Sequence, residues 1–442
     1  METIIRIVGI DVKNIKNLKH GKLETNSNFE NMKSADIVGI YGQNGSGKTA
    51  MVEAFSILKR LFTIEKLPDS SEFLMMSGQN FIELSIEFII KNRFGEYSAR
   101  YRCRIGSKDE NLFVENESIA YKENLPKKKY KELISKVNDD IEIRKQPLKK
   151  ISEDIRVKVM LANEMSELNQ TGFIFRNELI KPMSTLLAEE EFEILKNLAE
   201  DFNKDFHVID NVDNGLILSN ILMPFSMHLK NWRGKLPYTL KDTMLLDHES
   251  FEAIKKVINQ INVVLENIIP GLQINARAIH QETLESGDEG VRFELLSFKN
   301  GIKLPLRCES AGVLKLISIL STLIAVYNNP NACVIIDELD SGVFEYLLGE
   351  ILEVIYDHGK GQLFFTSHNL RVLEVLSHKS LWFTTLNEEN RFIKLKGIKN
   401  LSNVRDIYLR AVQLGGQDEE LYRETNAYDI KKAFRIAGGS ND

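Results

Sequence analysis

Residues 37–49 read Ile-Val-Gly-Ile-Tyr-Gly-Gln-Asn-Gly-Ser-Gly-Lys-Thr, and the fold turns on them. Ile37 to Tyr41 is an apolar run, and after Lys48 the residues Met51, Phe55, Leu58 and Phe62 recur at helical spacing. Between this predicted strand and helix lies G-x-x-x-x-G-K-T, a phosphate-binding loop. Triphosphate oxygens need many donors at close range. Glycines at 42, 45 and 47 let consecutive backbone N–H groups turn inward, with the positive end of a helix behind them. Lys48 then reaches the β- and γ-phosphates, and the Thr49 hydroxyl is placed to ligate Mg²⁺. Gly42, Gln43, Asn44, Gly45, Ser46, Gly47, Lys48 and Thr49 are therefore the expected ATP contacts.

The chain has 442 residues, which suits two or three average domains or one domain carrying a large insertion. With 43% hydrophobic residues it can bury a sizeable core. Its formal net charge of −6 provides no global field toward DNA or anionic lipid, so any such contact must be a local patch. Cys103, Cys308 and Cys333 lie far apart without a C-x-x-C pair, which suits a reducing cytosol and argues against a zinc ribbon. No apolar run approaches the ~18 residues of a membrane span, and no leader pattern opens the chain. The expectation is a cytoplasmic protein with no membrane partner.

Residues 3 to 12 are β-branched and partly alternating, and predict an edge or partner strand before the phosphate-loop strand. Phe81 to Ile90, Glu96 to Ile105 and Asn111 to Tyr121 predict an antiparallel meander, with turn signals at Asn92, Gly95 and Gly106-Ser107. Composition shifts at Lys122: from there to Lys150 there are ten Lys or Arg against five acidic residues. Lys127-Lys128-Lys129 and Lys149-Lys150 are the densest points. Residues 127 to 205 read mostly helical, and a further helix is predicted from Ser250 to Ile268, before Pro270-Gly271. The lysine run is either a solvated face or a DNA contact, with few aromatics interleaved for base stacking. Trp232 reads as a packing anchor.

Strand pattern returns at 291–298 and 302–306, then a helix over Ser310 to Tyr327. Ala332 to Ile336 is a continuous apolar run closed by Asp337-Glu338, as expected of a buried parallel strand delivering carboxylates at its C-terminal end. A helix over Val343 to Tyr356, a buried strand over Gln362 to Thr366, and strands at Leu381 to Thr385 and Arg391 to Leu395 complete a parallel αβ core.

Three further motifs converge on the nucleotide. Asp337 would hold Mg²⁺ and Glu338 would polarise the attacking water, since hydrolysis needs charge neutralisation and a positioned nucleophile. Asp337-Glu338-Leu339-Asp340 also satisfies the helicase pattern D-E-x-D, but Lys48 and Asp337 are 289 residues apart, too far for a compact helicase or ring ATPase unit. Ser310-Ala311-Gly312 is S-x-G at a predicted helix start, where a hydroxyl, a glycine N–H and the helix dipole make an anion site; a plain serine N-cap has the same look. His368, after a buried strand, is placed to donate to a γ-phosphate oxygen, although a structural histidine also fits there.

Taken together, the phosphate loop, a long insertion, Ser310-x-Gly312, Asp337-Glu338 with Asp340-Ser341-Gly342, and Thr366-Ser367-His368-Asn369 resemble the ABC-type ATPases of the SMC, RecF and OLD kind. Within that group they are similar to the AAA-type ATPase subunits of phage-defence systems of the PARIS, AbiL and Septu types. The resemblance implies an α/β P-loop NTPase fold of ABC type: a mixed sheet with an antiparallel meander and an inserted, mainly helical subdomain. Residues 1–121 and 291–442 would form the nucleotide-binding domain and 122–290 the insertion. It further implies that Ser310 and Gly312 are the signature motif, Asp340 the D-loop aspartate and His368 the switch histidine. Glu338, His368 and Lys48 would be catalytic, and Thr49 and Asp337 the Mg²⁺ ligands. The signature reads Glu-Ser-Ala-Gly where transporters have Leu-Ser-Gly-Gly-Gln, and Gln79 is the candidate for the Q-loop glutamine. The implied activity is ATP hydrolysis coupled to closure of two heads, controlling a separate nuclease-like effector in antiviral defence. The alternative is an SMC- or RecF-like DNA-repair ATPase that binds DNA through the basic 122–150 segment.

Overall fold

The computed structural model describes residues 3–69, 74–108, 111–219, 221–228, 233–398 and 403–438. The chain opens with β1 (Ile4–Ile15) and β2 (Leu18–Glu24), then β3 (Asp36–Tyr41), the phosphate loop and α1 (Lys48–Thr63). β4 (Phe81–Asn92), β5 (Gly95–Lys108), β6 (Asn111–Glu123), β7 (Lys131–Val137), β8 (Asp140–Ile143) and β9 (Gln146–Pro147) follow. Next come α2 (Glu153–Asn169), α3 (Asn177–Leu186), α4 (Glu189–Lys196), a π-helical turn at Asn197–Phe202, α5 (Asn203–Asp205), β10 (Phe206–Ile209) and α6 (Asn211–Leu218). β11 (Leu222–His228), β12 (Arg233–Thr239), β13 (Met244–Asp247), α7 (His248–Ile268) and β14 (Leu272–Thr283) lead to β15 (Glu289–Lys299), β16 (Ile302–Pro305) and α8 (Ala311–Asn328). The last part holds β17 (Cys333–Ile336), α9 (Glu345–His358), β18 (Gln362–Thr366), α10 (Val372–Val375), β19 (Leu381–Thr384), β20 (Phe392–Ile393), α11 (Val404–Leu414) and α12 (Ala427–Ala437).

Two sheets form the body. One is antiparallel, in the order β2-β1-β4-β5-β6-β7-β8-β9; the other runs β10-β17-β18-β3-β19-β20 and is parallel except for β20. β3 is buried at every position and pairs with β18 and β19, as a continuous apolar run must when both faces are covered. α1 is clamped between the sheets. Met51, Phe55 and Leu58 join one core with Ile7 and Ile10 of β1 and with Val38, Ile335 and Phe364 of the parallel sheet. Phe55 stands 5.1 Å from Phe364, ring centre to ring centre. The other face of the parallel sheet is covered by α8, α9 and α11, through Leu323, Leu348, Leu352 and Ala411. Helix α7 packs on β14 and β15 as a third core shared with α8.

A buried carboxylate joins the antiparallel sheet to the chain that follows α2. Glu117 of β6 is buried and accepts from the backbone N–H groups of Phe173 (2.7 Å) and Ile174 (3.2 Å) and from the Tyr101 hydroxyl (2.7 Å). Burial raises its pKa above the usual carboxylate range, against the opposing pull of those donors.

Several sequence expectations need correction. Residues 131–147 are strands rather than helix: β7, β8 and β9 extend the meander, and helices begin at Glu153. Leu133 and Ile134 are buried there, as is Lys136 of β7, whose Nζ donates to Glu167 Oε1 (3.3 Å), while Lys131 and Lys145 are exposed. β1 pairs with β2 and β4 in the antiparallel sheet and does not flank β3. β10, which joins the parallel sheet beside β17, and β14 were not anticipated. Ala311–Asn328 is long and apolar enough to cross a membrane by length and composition, contrary to the sequence expectation, but 67% of that stretch is buried inside the protein. Its side chains serve two cores at once. Trp232 lies outside the described residues.

Candidate functional site

β3 ends at Tyr41, and the chain turns through Gly42, Gly45 and Gly47 with φ of 157°, 76° and 94°. The last two lie in the left-handed region that favours glycine. Gly42 is fixed for a second reason: a Cβ there would meet the Thr384 hydroxyl at 1.5 Å, so the end of β19 presses directly on the loop. The Thr384 hydroxyl donates to Ser46 Oγ (2.7 Å), and Ser46 Oγ donates to the Gln43 carbonyl (2.7 Å). Asn17 Nδ2 donates to the Gly45 carbonyl. Asn44 is exposed and Gln43 half-buried at the loop's open side. Lys48, the first residue of α1, is buried and folds back so that its Nζ donates to the carbonyls of Gly42 (2.8 Å) and Gln43 (3.0 Å). Burial lowers its pKa, while Asp337, Glu338 and Asp340 pull it back up. Thr49 follows, half-buried, on the first turn.

β17 brings Asp337 and Glu338 to the same edge. Asp337 is fully buried; its Oδ1 accepts from the Thr366 hydroxyl, and its Oδ2 is buried with no protein partner. Glu338 has φ of 45°, a conformation that costs a non-glycine residue of order 1–3 kcal/mol and persists only where surroundings impose it. Here β18 imposes it. The Glu338 N–H donates to Thr366 Oγ1 (2.8 Å), and the Leu339 N–H donates to the Thr366 carbonyl (3.0 Å).

Asp340 and His368 meet at this edge too: the His368 backbone N–H donates to Asp340 Oδ2 (2.9 Å). Partial desolvation, and then Lys48, hold the His368 imidazole below its ordinary range, against Asp340, Glu338 and Asp337. The Tyr41 hydroxyl donates to the Asn369 carbonyl (3.1 Å), joining β3 to the loop that carries His368. Ser310 is the exposed N-cap of α8, accepting from the Val313 N–H (3.4 Å). A Cβ at Gly312 would fall 2.0 Å from the Gly342 carbonyl oxygen, so the start of α8 rests on the Asp340-Ser341-Gly342 turn.

Some participants carry no sequence signal. Lys315 of α8 is buried and donates to Asn214 Oδ1, and Asn214 Nδ2 donates to the Asp337 carbonyl, linking the Ser310 helix to the metal-side carboxylate. Burial pushes the Lys315 pKa down to about 8, opposed by Asp337, Glu338, Asp340 and Asp213. Asp210, delivered by β10, accepts from the Ser56 hydroxyl of α1 (3.2 Å). Arg391 is buried against Gly47 and donates to the Asn17 carbonyl (3.1 Å), while its Nε has no partner. Gln79 is exposed in the turn before β4; the residues that β10 brings to the nucleotide edge are Asp210 and Asn211.

The arrangement fits Mg²⁺. An aspartate oxygen buried without a protein partner, with the Thr49 hydroxyl on the first turn of α1 beside Lys48, suits a cation shared with phosphate oxygens. Among the described residues no three His, Cys, Asp or Glu could hold a metal by themselves. That agrees with Mg²⁺ chemistry, in which one or two carboxylates share the ion with substrate phosphates and water.

The sequence profile of a family described as "AAA domain" matches residues 10–269. The chain belongs to the AAA-domain family. A second AAA-domain profile, described as a putative AbiEii toxin of a type IV toxin–antitoxin system, matches residues 191–374, which include Ser310, Asp337 and His368. Among solved structures, this AAA-domain chain is similar to the SMC head bound to the C-terminal winged-helix domain of ScpA, at 13% identity and a TM-score of 0.41, covering 88% of this chain and 97% of that one. The SMC head domain from Thermotoga maritima gives 13% identity, a TM-score of 0.38 and coverage of 89% and 100%. RecF with ATP gives 12%, 0.33, and coverage of 83% and 94%. No curated protein sequence matches. Phosphate loop, insertion, Ser-x-Gly, Asp-Glu and His follow in that order along the chain, and all lie on one sheet edge or at the helix resting on it.

Proposed function

We infer that this protein is an ATP-hydrolysing switch whose two heads close around two nucleotides. The observation that carries this reading is the unpartnered Asp337 oxygen, on the same edge as Lys48, Glu338 and His368. Thr49 and Asp337 would hold Mg²⁺, which when bound neutralises charge on the phosphates. Lys48 leaves its two loop carbonyls for phosphate oxygens, Glu338 accepts a proton from the attacking water, and His368 donates toward the γ-phosphate. Ser310 is exposed at the tip of α8, where its hydroxyl accepts from its own helix, which supports a role on the nucleotide of a second copy. Lys315 and Asn214 would carry closure from that helix to Asp337. The output is control of a protein effector of nuclease type in antiviral defence, in the cytoplasm; the match to a profile from a toxin–antitoxin system supports this setting.

The test is complementation in trans. Lys48→Ala is expected to lose ATP binding, and Ser310→Arg to bind ATP in its own loop without hydrolysing it. Mixed, they form heterodimers holding one intact composite site, and turnover returns. Normal turnover by Ser310→Arg alone, or no recovery on mixing, contradicts action across chains.

A further inference from the structure

The phosphate loop is gripped from both sheets. The antiparallel sheet reaches it through the β1–β2 turn, Lys16-Asn17, and the parallel sheet through the end of β19 and the β19–β20 turn, residues 385–391. Outside, Lys19 pairs with Glu389 and the His20 N–H donates to the Glu388 carbonyl (3.1 Å), so the two turns are joined to each other. Inside, Arg391 joins them. Its guanidinium donates through Nη1 to the Thr385 carbonyl (2.8 Å) and through Nη2 to the Asn17 carbonyl (3.1 Å). The Asn17 side chain in turn donates to the Gly45 carbonyl and fixes the orientation of that peptide, and the Arg391 stem lies 3.5 Å from the position a Cβ on Gly47 would take.

Arg391 is 6% exposed, and among the described residues its Nε has no partner while the two groups it does bond are neutral carbonyls. Burying a cation without a counter-charge is costly. Beside a loop shaped for polyphosphate, an arriving anion relieves that cost.

The turn that carries Arg391 is itself held from the C-terminal side. Asn387 Nδ2 donates to both carboxylate oxygens of Glu419 (3.0 Å each), and Asn390 Nδ2 donates to one of them (3.1 Å). The Leu386 N–H donates to the Glu420 carbonyl (2.8 Å), and Leu421 is buried. We propose that Arg391 is a positioning residue for the nucleotide and that the segment 419–421 sets it. The C-terminal segment fixes the 385–391 turn, the turn fixes Arg391 and Asn17, and these hold the phosphate loop in its receptive shape. This rests on the reading that the loop binds ATP.

The experiment is calorimetric binding of a non-hydrolysable ATP analogue with Mg²⁺, alongside ATP turnover. Arg391→Met keeps the stem on Gly47 but removes the donors, and it is expected to weaken analogue binding about tenfold or more, the scale of hydrogen bonds from a charged group. Its turnover falls at low ATP and recovers as ATP saturates, because Lys48, Glu338 and His368 are untouched. Asn17→Ala weakens binding as well, and the double variant loses less than the two losses multiplied, because both residues act through one chain of contacts. Glu419→Ala changes a half-buried surface side chain, so it keeps the test open where Arg391→Met does not fold; it is expected to weaken binding about threefold with an unchanged urea midpoint. Unchanged affinity in folded Arg391→Met or in Asn17→Ala, or multiplicative losses in the pair, overturns the positioning role. Unchanged affinity in Glu419→Ala overturns the C-terminal link. A wild type that binds no analogue contradicts the nucleotide site itself.

Discussion

Thr366→Val removes one oxygen and tests how the Asp337-Glu338 turn is held. The Thr366 hydroxyl is fully buried, donates to Asp337 Oδ1 and accepts from the strained Glu338 N–H. Valine fills the same volume but leaves a buried carboxylate oxygen and a buried N–H without partners. Each orphan costs about 1–3 kcal/mol, and the valine methyl returns about 1 kcal/mol by burial, so a net loss of about 1–5 kcal/mol is expected. Urea unfolding followed by circular dichroism would read this as a lower midpoint with an unchanged slope. ATP turnover should fall with it, because Glu338 loses what holds it in the left-handed conformation. Thr366→Ser keeps the hydroxyl and should stay within about 1 kcal/mol of the parent with turnover largely intact. Wild-type stability and turnover in Thr366→Val would refute the claim that this hydroxyl holds the turn.

Lys315 gives a pH signature: the unfolded chain's lysine titrates at its ordinary 10.5, the folded one at about 8. Between these values the unfolded state binds more protons, so stability rises with pH across that window, and Lys315→Met should flatten the rise by up to about 1.4 kcal/mol per pH unit in urea titrations; an unchanged slope would remove the buried charge from the account. Changing Lys127, Lys128, Lys129, Lys149 and Lys150 to Glu should leave basal ATP turnover intact, since these residues sit on turns and in a short 3₁₀ segment, with Lys128 already paired to Glu123 at 2.9 Å. Duplex-DNA stimulation of the wild type, lost in this variant and falling with salt by about 0.9 log units per phosphate contact, would favour the DNA-repair reading.

The nucleotide edge was legible because its residues obey local rules. Glycines at 45 and 47 announce positive φ, and the apolar run before Asp337 announces a buried parallel strand whose end must present carboxylates. Ser310 was recognisable as a cap for the same reason. What failed was whatever depends on tertiary company. β7 and β8 turn through Asn138 and then through Arg144-Lys145, all at positive φ, and neither arginine nor lysine signals a hairpin. The lysine-rich composition of that stretch favoured a helix by propensity, while pairing with β6 decided the outcome. β10 is four residues long and became a strand only by lying beside β17. Lys315 and Asn214 lie 101 positions apart, and only the packing of α6 on α8 brings them together.

Glu338 carries the central claim that this edge hydrolyses ATP. Glu338→Gln keeps the side chain's shape but cannot accept a proton from water. Steady-state phosphate release, alongside light scattering in ATP, is the direct measurement. The account predicts normal ATP binding, turnover reduced at least about a hundredfold, in the range of a lost general base, and an ATP-bound closed assembly that accumulates. Turnover at the wild-type rate, with no ATP-dependent change in mass or shape, would contradict it.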